Sequence, residues 1–73
     1  MAIRVKADDL GYAILLKEIG SREDAINLRE FFTSNGVSPE VCAVSEDEFH
    51  IMLYGVSCDT FVHLVAGADI ELA

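Results

Sequence analysis

Tyr12-Ala13-Ile14-Leu15-Leu16-Lys17-Glu18-Ile19-Gly20-Ser21-Arg22-Glu23-Asp24-Ala25 is the stretch on which the fold turns. Its first eight residues are nearly continuously apolar and bounded by Gly11 and Gly20, which suits a central strand covered on both faces. The periodicity then changes abruptly. Ser21 can cap a helix by accepting a backbone N–H two or three residues on, and Asp24 stands where an acid can reach back, as in a capping box. Glu23 and Asp24 also suit the positive end of a helix dipole. Ala25, Leu28, Phe31 and Phe32 follow at helical spacing. Asn35-Gly36 supplies a left-handed stop, and Pro39 prevents continuation. A strand over 12–19 and a helix over 22–34 are therefore expected.

Working outward, residues 2–6 alternate Ile3 and Val5 against Arg4 and Lys6, a short extended segment. Asp8-Asp9-Leu10-Gly11 reads as a turn. Residues 1–11 are thus an N-terminal extension or an extra edge strand. Val41-Cys42-Ala43-Val44 and Phe49-His50-Ile51-Met52-Leu53-Tyr54 read as two strands joined by the polar tip Ser45-Glu46-Asp47-Glu48. Ser57 is a candidate cap for a second helix, with Phe61, Leu64, Val65 and Ala68 on one stripe and Gly67 near its end. Asp69-Ile70-Glu71-Leu72 alternates as a last strand. The order matches an α+β, ferredoxin-like βαββαβ sandwich: a four-stranded antiparallel sheet with two helices on one face. The two most apolar runs, 12–19 and 49–54, would lie at its centre.

The chain has 73 residues, enough for one domain spanning 1–73. Its apolar fraction of 52% offers more hydrophobic surface than one small core needs, which points to an oligomer or partner interface. Net charge is −8, unevenly spread. Residues 1–36 hold all five cations (Arg4, Lys6, Lys17, Arg22, Arg29) beside six acids, whereas 37–73 hold seven acids and no Lys or Arg. Phosphate backbones and anionic membranes demand cations, so direct nucleic-acid binding and membrane adhesion are not expected. A partner with a basic surface is. The simpler alternative is that the acids only keep an apolar domain soluble.

No apolar run is long enough to cross a bilayer, and the first residues lack the apolar core of a signal peptide. Two cysteines make no disulfide scaffold. A cytoplasmic location, in a cell or an infected host, with reduced thiols is the expectation. Cys42, Cys58, His50 and His63 show no metal-ligand spacing, and the Glu46-Asp47-Glu48 tip lacks the alternation and glycine of a calcium loop. No metal and no cofactor is expected. Nor is a catalytic residue: there is no phosphate loop, nucleophile elbow or Ser-His-Asp set. Cys58 would begin a helix, which lowers a thiol pKa, but its neighbour is Asp59 rather than a cation.

With both helices on one face, the other sheet face stands open. Alternation places Phe49, Ile51 and Leu53 in the core and His50, Met52 and Tyr54 on the open side. Strand 12–19 adds either Tyr12, Ile14 and Leu16 or Ala13, Leu15, Lys17 and Ile19. The candidate partner-binding residues are therefore His50, Met52, Tyr54 and Tyr12, with the acids Glu46, Asp47, Glu48, Asp69 and Glu71. A symmetric homodimer through this face is the commonest arrangement of the kind. RNA-recognition domains also stack bases on an open four-stranded sheet, but need basic residues that are missing here.

The segment Ile19-Gly20-Ser21-Arg22-Glu23-Asp24-Ala25 to Leu28, with Gly36 and then Phe49 to Tyr54, resembles SPOR domains over about half the chain. That resemblance implies the βαββαβ order and, by family habit, glycan binding; it identifies no glycan-binding residue here. In size and charge the chain is similar to small acidic accessory proteins of bacteriophages, such as anti-CRISPR inhibitors, which occupy nucleic-acid-binding grooves on host machinery. These readings together predict a non-enzymatic protein-binding or inhibitory module. The alternative is a small-molecule or glycan sensor of the ACT or SPOR kind.

Overall fold

The computed structural model describes residues 2–73; Met1 lies outside it, so the segment expected over 1–11 is described from Ala2. Seven elements follow in order: β1 (Ile3–Asp9), β2 (Ile14–Ile19), α1 (Arg22–Ser34), β3 (Ser38–Ser45), β4 (Glu48–Tyr54), α2 (Cys58–Ala66) and β5 (Ile70–Leu72). The fold is α+β, as expected, and β2 to β5 with the two helices keep the βαββαβ order.

The sheet differs from expectation. It has five strands in the order β3-β4-β2-β1-β5 and is mixed, not four-stranded and antiparallel. β1 pairs antiparallel with β2 and parallel with β5. The N-terminal strand is therefore neither an extension nor an edge: it is inserted between β2 and β5. The cause is burial. Val5 is sealed in the core, Ile3 and Ala7 pack against it, and Ile3 and Val5 stand opposite Ile70 and Leu72. The Ile3 N–H donates to the Asp69 carbonyl at 3.0 Å and the Ala73 N–H to the Val5 carbonyl at 2.8 Å, stitching the short β5 to the sheet. The two apolar runs do pair centrally, with Ile14 opposite Leu53 and Leu16 opposite Ile51.

α1 begins where its cap requires: Ser21 is extended and its Oγ accepts the Asp24 N–H at 3.1 Å. It ends in a Schellman arrangement. Gly36 takes φ +80°, the Val37 N–H reaches the Phe32 carbonyl at 3.0 Å, and the Gly36 N–H reaches that of Thr33 at 3.2 Å. Val37 and Phe32 are both buried, giving the apolar contact that accompanies such a stop. Ser57 caps α2 in the same way, through the Thr60 N–H at 3.2 Å. Ala25, Leu28 and Phe32 of α1 join Phe61 and Val65 of α2 over one face of the sheet, and the Phe32 and Phe61 rings stack at 6.0 Å. Both helices thus cover the face built by Val5, Ile14, Leu16, Ile51 and Leu53.

A turn was expected over Asp8–Gly11, but β1 runs on to Asp9 and the turn falls two residues later. Asp9 Oδ1 accepts the Gly11 N–H at 2.9 Å, and the Leu10 N–H reaches the Ala13 carbonyl at 2.9 Å. This side-chain-stabilised turn takes Tyr12 out of the strand.

Candidate interaction surface

The helix-free face is built by alternation. On β4, Phe49, Ile51 and Leu53 point under the helices, and His50, Met52 and Tyr54 point the other way. Register completes the surface. Met52 stands between Leu15 of β2 and Glu40 of β3, His50 opposite Cys42, and Tyr54 opposite Ser38. Leu15, Glu40, Cys42, His50, Met52 and Tyr54 line an open depression of about 310 Å³. Leu15 and Met52 are half-buried by their neighbours alone, and Tyr54 is 37% exposed. His50 Nε2 lies 2.9 Å from Glu48 Oε2, which ties one acid of the β3–β4 tip to the patch.

Of the two sets offered by strand 12–19, the open face receives Leu15 and Lys17, while Ile14 and Leu16 enter the core. Ile19 does not follow Leu15 outward. A β-bulge between Leu16 and Ile19, with Glu18 at φ +60°, resets the alternation and returns Ile19 to the core opposite Phe49.

The remaining half of the face is ionic. Lys17 is paired with Asp8, Lys6 lies 3.6 Å from Glu18, and Arg4 lies 3.8 Å from Glu71. The Asp8 carboxylate, first as hydrogen-bond acceptor and then as charge, raises the Lys17 pKa above its ordinary 10.5. The face is therefore apolar over β3, β4 and the middle of β2, and laced with opposite charges over β1 and β5.

The expected site residues separate accordingly. His50, Met52 and Tyr54 come together. Glu46 and Asp47 form the loop of the β3–β4 hairpin, at one end of the sheet. Tyr12, 72% exposed, sits in the β1–β2 turn at the opposite end, the end of Tyr54. It is not on the open face as a strand residue. Asp69 precedes β5 and Glu71 lies on it, three strands from β4, roughly 14 Å at ordinary strand spacing. Glu71 is engaged by Arg4. These two acids do not border the apolar patch.

Sequence reasoning missed Glu40, because β3 starts at Ser38, three residues before the apolar run that marked it, and Cys42, which lies in that run but joins the face only through a register that sets it opposite His50. It also missed a groove on the helix side, where Arg22, Ile26 and Arg29 recur at i, i+4 and i+7 along α1 beside Val41 and Ala43. Both cysteines are free and exposed, Cys58 as the first residue of α2.

Fold and surface together define an α+β domain with a half-apolar, half-ionic open sheet face. No family model, curated protein or solved structure matches the chain. No helix among the described residues is long and apolar enough to cross a membrane.

Proposed function

We propose that this chain is a non-enzymatic protein-binding module whose helix-free sheet face engages an amphipathic, basic surface of a partner protein. One observation carries the reading. Leu15, Met52 and Tyr54 are left without a covering element on that face; of the charges near them Glu40 and Glu48 are acids, and the one cation, Lys17, is already paired with Asp8. Burying apolar surface yields about 25 cal/mol per Å², so this patch supplies affinity. The acids of the cation-free half, 37–73, supply steering and sign. Occupying a nucleic-acid-binding groove on host machinery, as phage-type inhibitors do, is one such use, in the cytoplasm. The same face suits a second copy, and a two-fold homodimer is the competing occupant.

The test is capture of the partner from lysate of the native host, followed by titration of the purified pair across ionic strength. Affinity should fall steeply with salt, because screening confines charge attraction to about 8 Å at physiological ionic strength. A flat salt profile would sink the acidic-surface reading. A rise in Tm specific to one amino acid, nucleotide or cell-wall fragment would favour the sensor alternative instead.

A further inference from the structure

A second surface of opposite sign lies on the other side of the sheet. β3 is an edge strand of eight residues, so one row of its main-chain groups faces away from β4. Its helix-side residues Pro39, Val41 and Ala43 stand opposite the core residues Leu53, Ile51 and Phe49, yet α1 does not cover them fully. Val41 remains 37% exposed and Ala43 is exposed. The flank of α1 above them carries Arg22, Ile26 and Arg29. The chain's other three cations each hold a carboxylate; among the described residues, Arg22 and Arg29 have no ion pair.

We propose that β3 accepts an extended segment of a partner protein as a sixth strand, and that this segment reads acid–x–apolar–x–acid on its helix side. Strand addition satisfies the edge through main-chain hydrogen bonds and leaves specificity to alternate side chains. Arg22 and Arg29 are separated by about 10 Å along the helix. Acids four residues apart on a strand are separated by about 13 Å, a difference that the long arginine side chains span. The apolar residue between them meets Ile26 and Val41. Pro39 lacks an N–H, which confines good pairing to 40–45. A second copy fits this edge poorly: antiparallel self-pairing sets the two arginine flanks against each other, and Pro39, Val41 and Ala43 bring no acid between them. The chain is acidic as a whole, but charges beyond about 8 Å are screened, so the local sign decides. The proposal is independent of the function assigned to the opposite face.

The test uses the full chain and two end-blocked peptides, TETVTET and TKTVTKT, whose symmetric sequences suit either strand direction. Amide chemical shifts report where each binds. The acidic peptide should perturb residues 40–45 and 22–29 and leave Leu15 and Met52 unmoved. The double variant Arg22→Glu/Arg29→Glu changes only exposed helical positions and should retain the native spectrum. It should weaken the acidic peptide by about tenfold and strengthen the basic one. Equal binding of both peptides, perturbation confined to the helix-free face, or no shift at millimolar peptide each overturns the proposal. So does dilution-dependent protection of the β3 amides without peptide, which would mean a second copy occupies the edge.

Discussion

Glu18 sits at φ +60°, a backbone conformation that costs an ordinary residue about 1–2 kcal/mol. The bulge it forms sends Ile19 into the core, where burial of such a side chain yields about 1.5–3 kcal/mol. The second effect wins, so the strain persists. Glu18→Gly should leave the unfolding free energy unchanged or raise it by up to about 1 kcal/mol, despite losing the exposed contact with Lys6. Glu18→Val should lower it by about 1–2 kcal/mol, since a β-branched residue is worst placed there. Urea unfolding of the three chains decides; a Glu18→Gly chain as damaged as Glu18→Val would mean the bulge is not the source. This residue also marks where the sequence stops being readable. Strict alternation offered two whole faces for 12–19, and the structure takes Ile14 and Leu16 from one and Ile19 from the other. A bulge breaks period-2 logic with no distinguishing residue, because the left-handed position here is held by glutamate rather than glycine.

At the scale of elements, α1 was fully legible: its cap, stripe and stop are local chemistry, and the helix occupies Arg22–Ser34 as read. β1 was not, because its place between β2 and β5 depends on a parallel pairing with residues some 67 positions away. Alternation shows that Ile3 and Val5 share a face but not what covers it. Treating β1 as an interior strand has a measurable consequence. Val5→Ala should cost about 2 kcal/mol in urea unfolding, from lost burial and the cavity left behind; a neutral result would favour the expectation of 1–11 as an N-terminal extension or extra edge strand. The β1–β2 pair also carries the Lys17–Asp8 contact. Because the folded chain holds the Lys17 pKa above 10.5, the contact stabilises fully at neutral pH and fades only as pH rises through the elevated folded value. Lys17→Met should therefore differ from the parent chain at pH 7, and the difference should shrink under strongly alkaline conditions. A difference that persists there unchanged would assign it to packing of the aliphatic stem instead.

At the scale of the molecule, the division into a covered and an uncovered sheet face follows from two helices sharing one core. His50, Met52 and Tyr54 were placed correctly because β4 alternates without interruption. Tyr12, Asp69 and Glu71 lie apart from them, which alternation could not foretell because it encodes neither turns nor strand order. The outcome is a chain with two distinct surfaces: an apolar patch bordered by Glu40 and Glu48 on one side, and on the other Arg22 and Arg29, without an ion pair among the described residues, over an edge strand. Tyr54 is 37% exposed and Met52 half-buried with no helix above them, so truncating both should lower Tm little compared with a core substitution.

The most direct measurement is the Kd of the captured partner for the double variant Met52→Ala/Tyr54→Ala, beside Val62→Ala on the far side of the fold as control. Val62 is 53% exposed on α2 and tests whether any exposed apolar residue suffices. Central apolar and aromatic anchors of an interface cost about 1–3 kcal/mol each when truncated, so affinity should fall at least tenfold in the first variant and stay unchanged in the second. Full affinity in the Met52→Ala/Tyr54→Ala chain, with its fold intact, would contradict the assignment of the helix-free face as the binding surface.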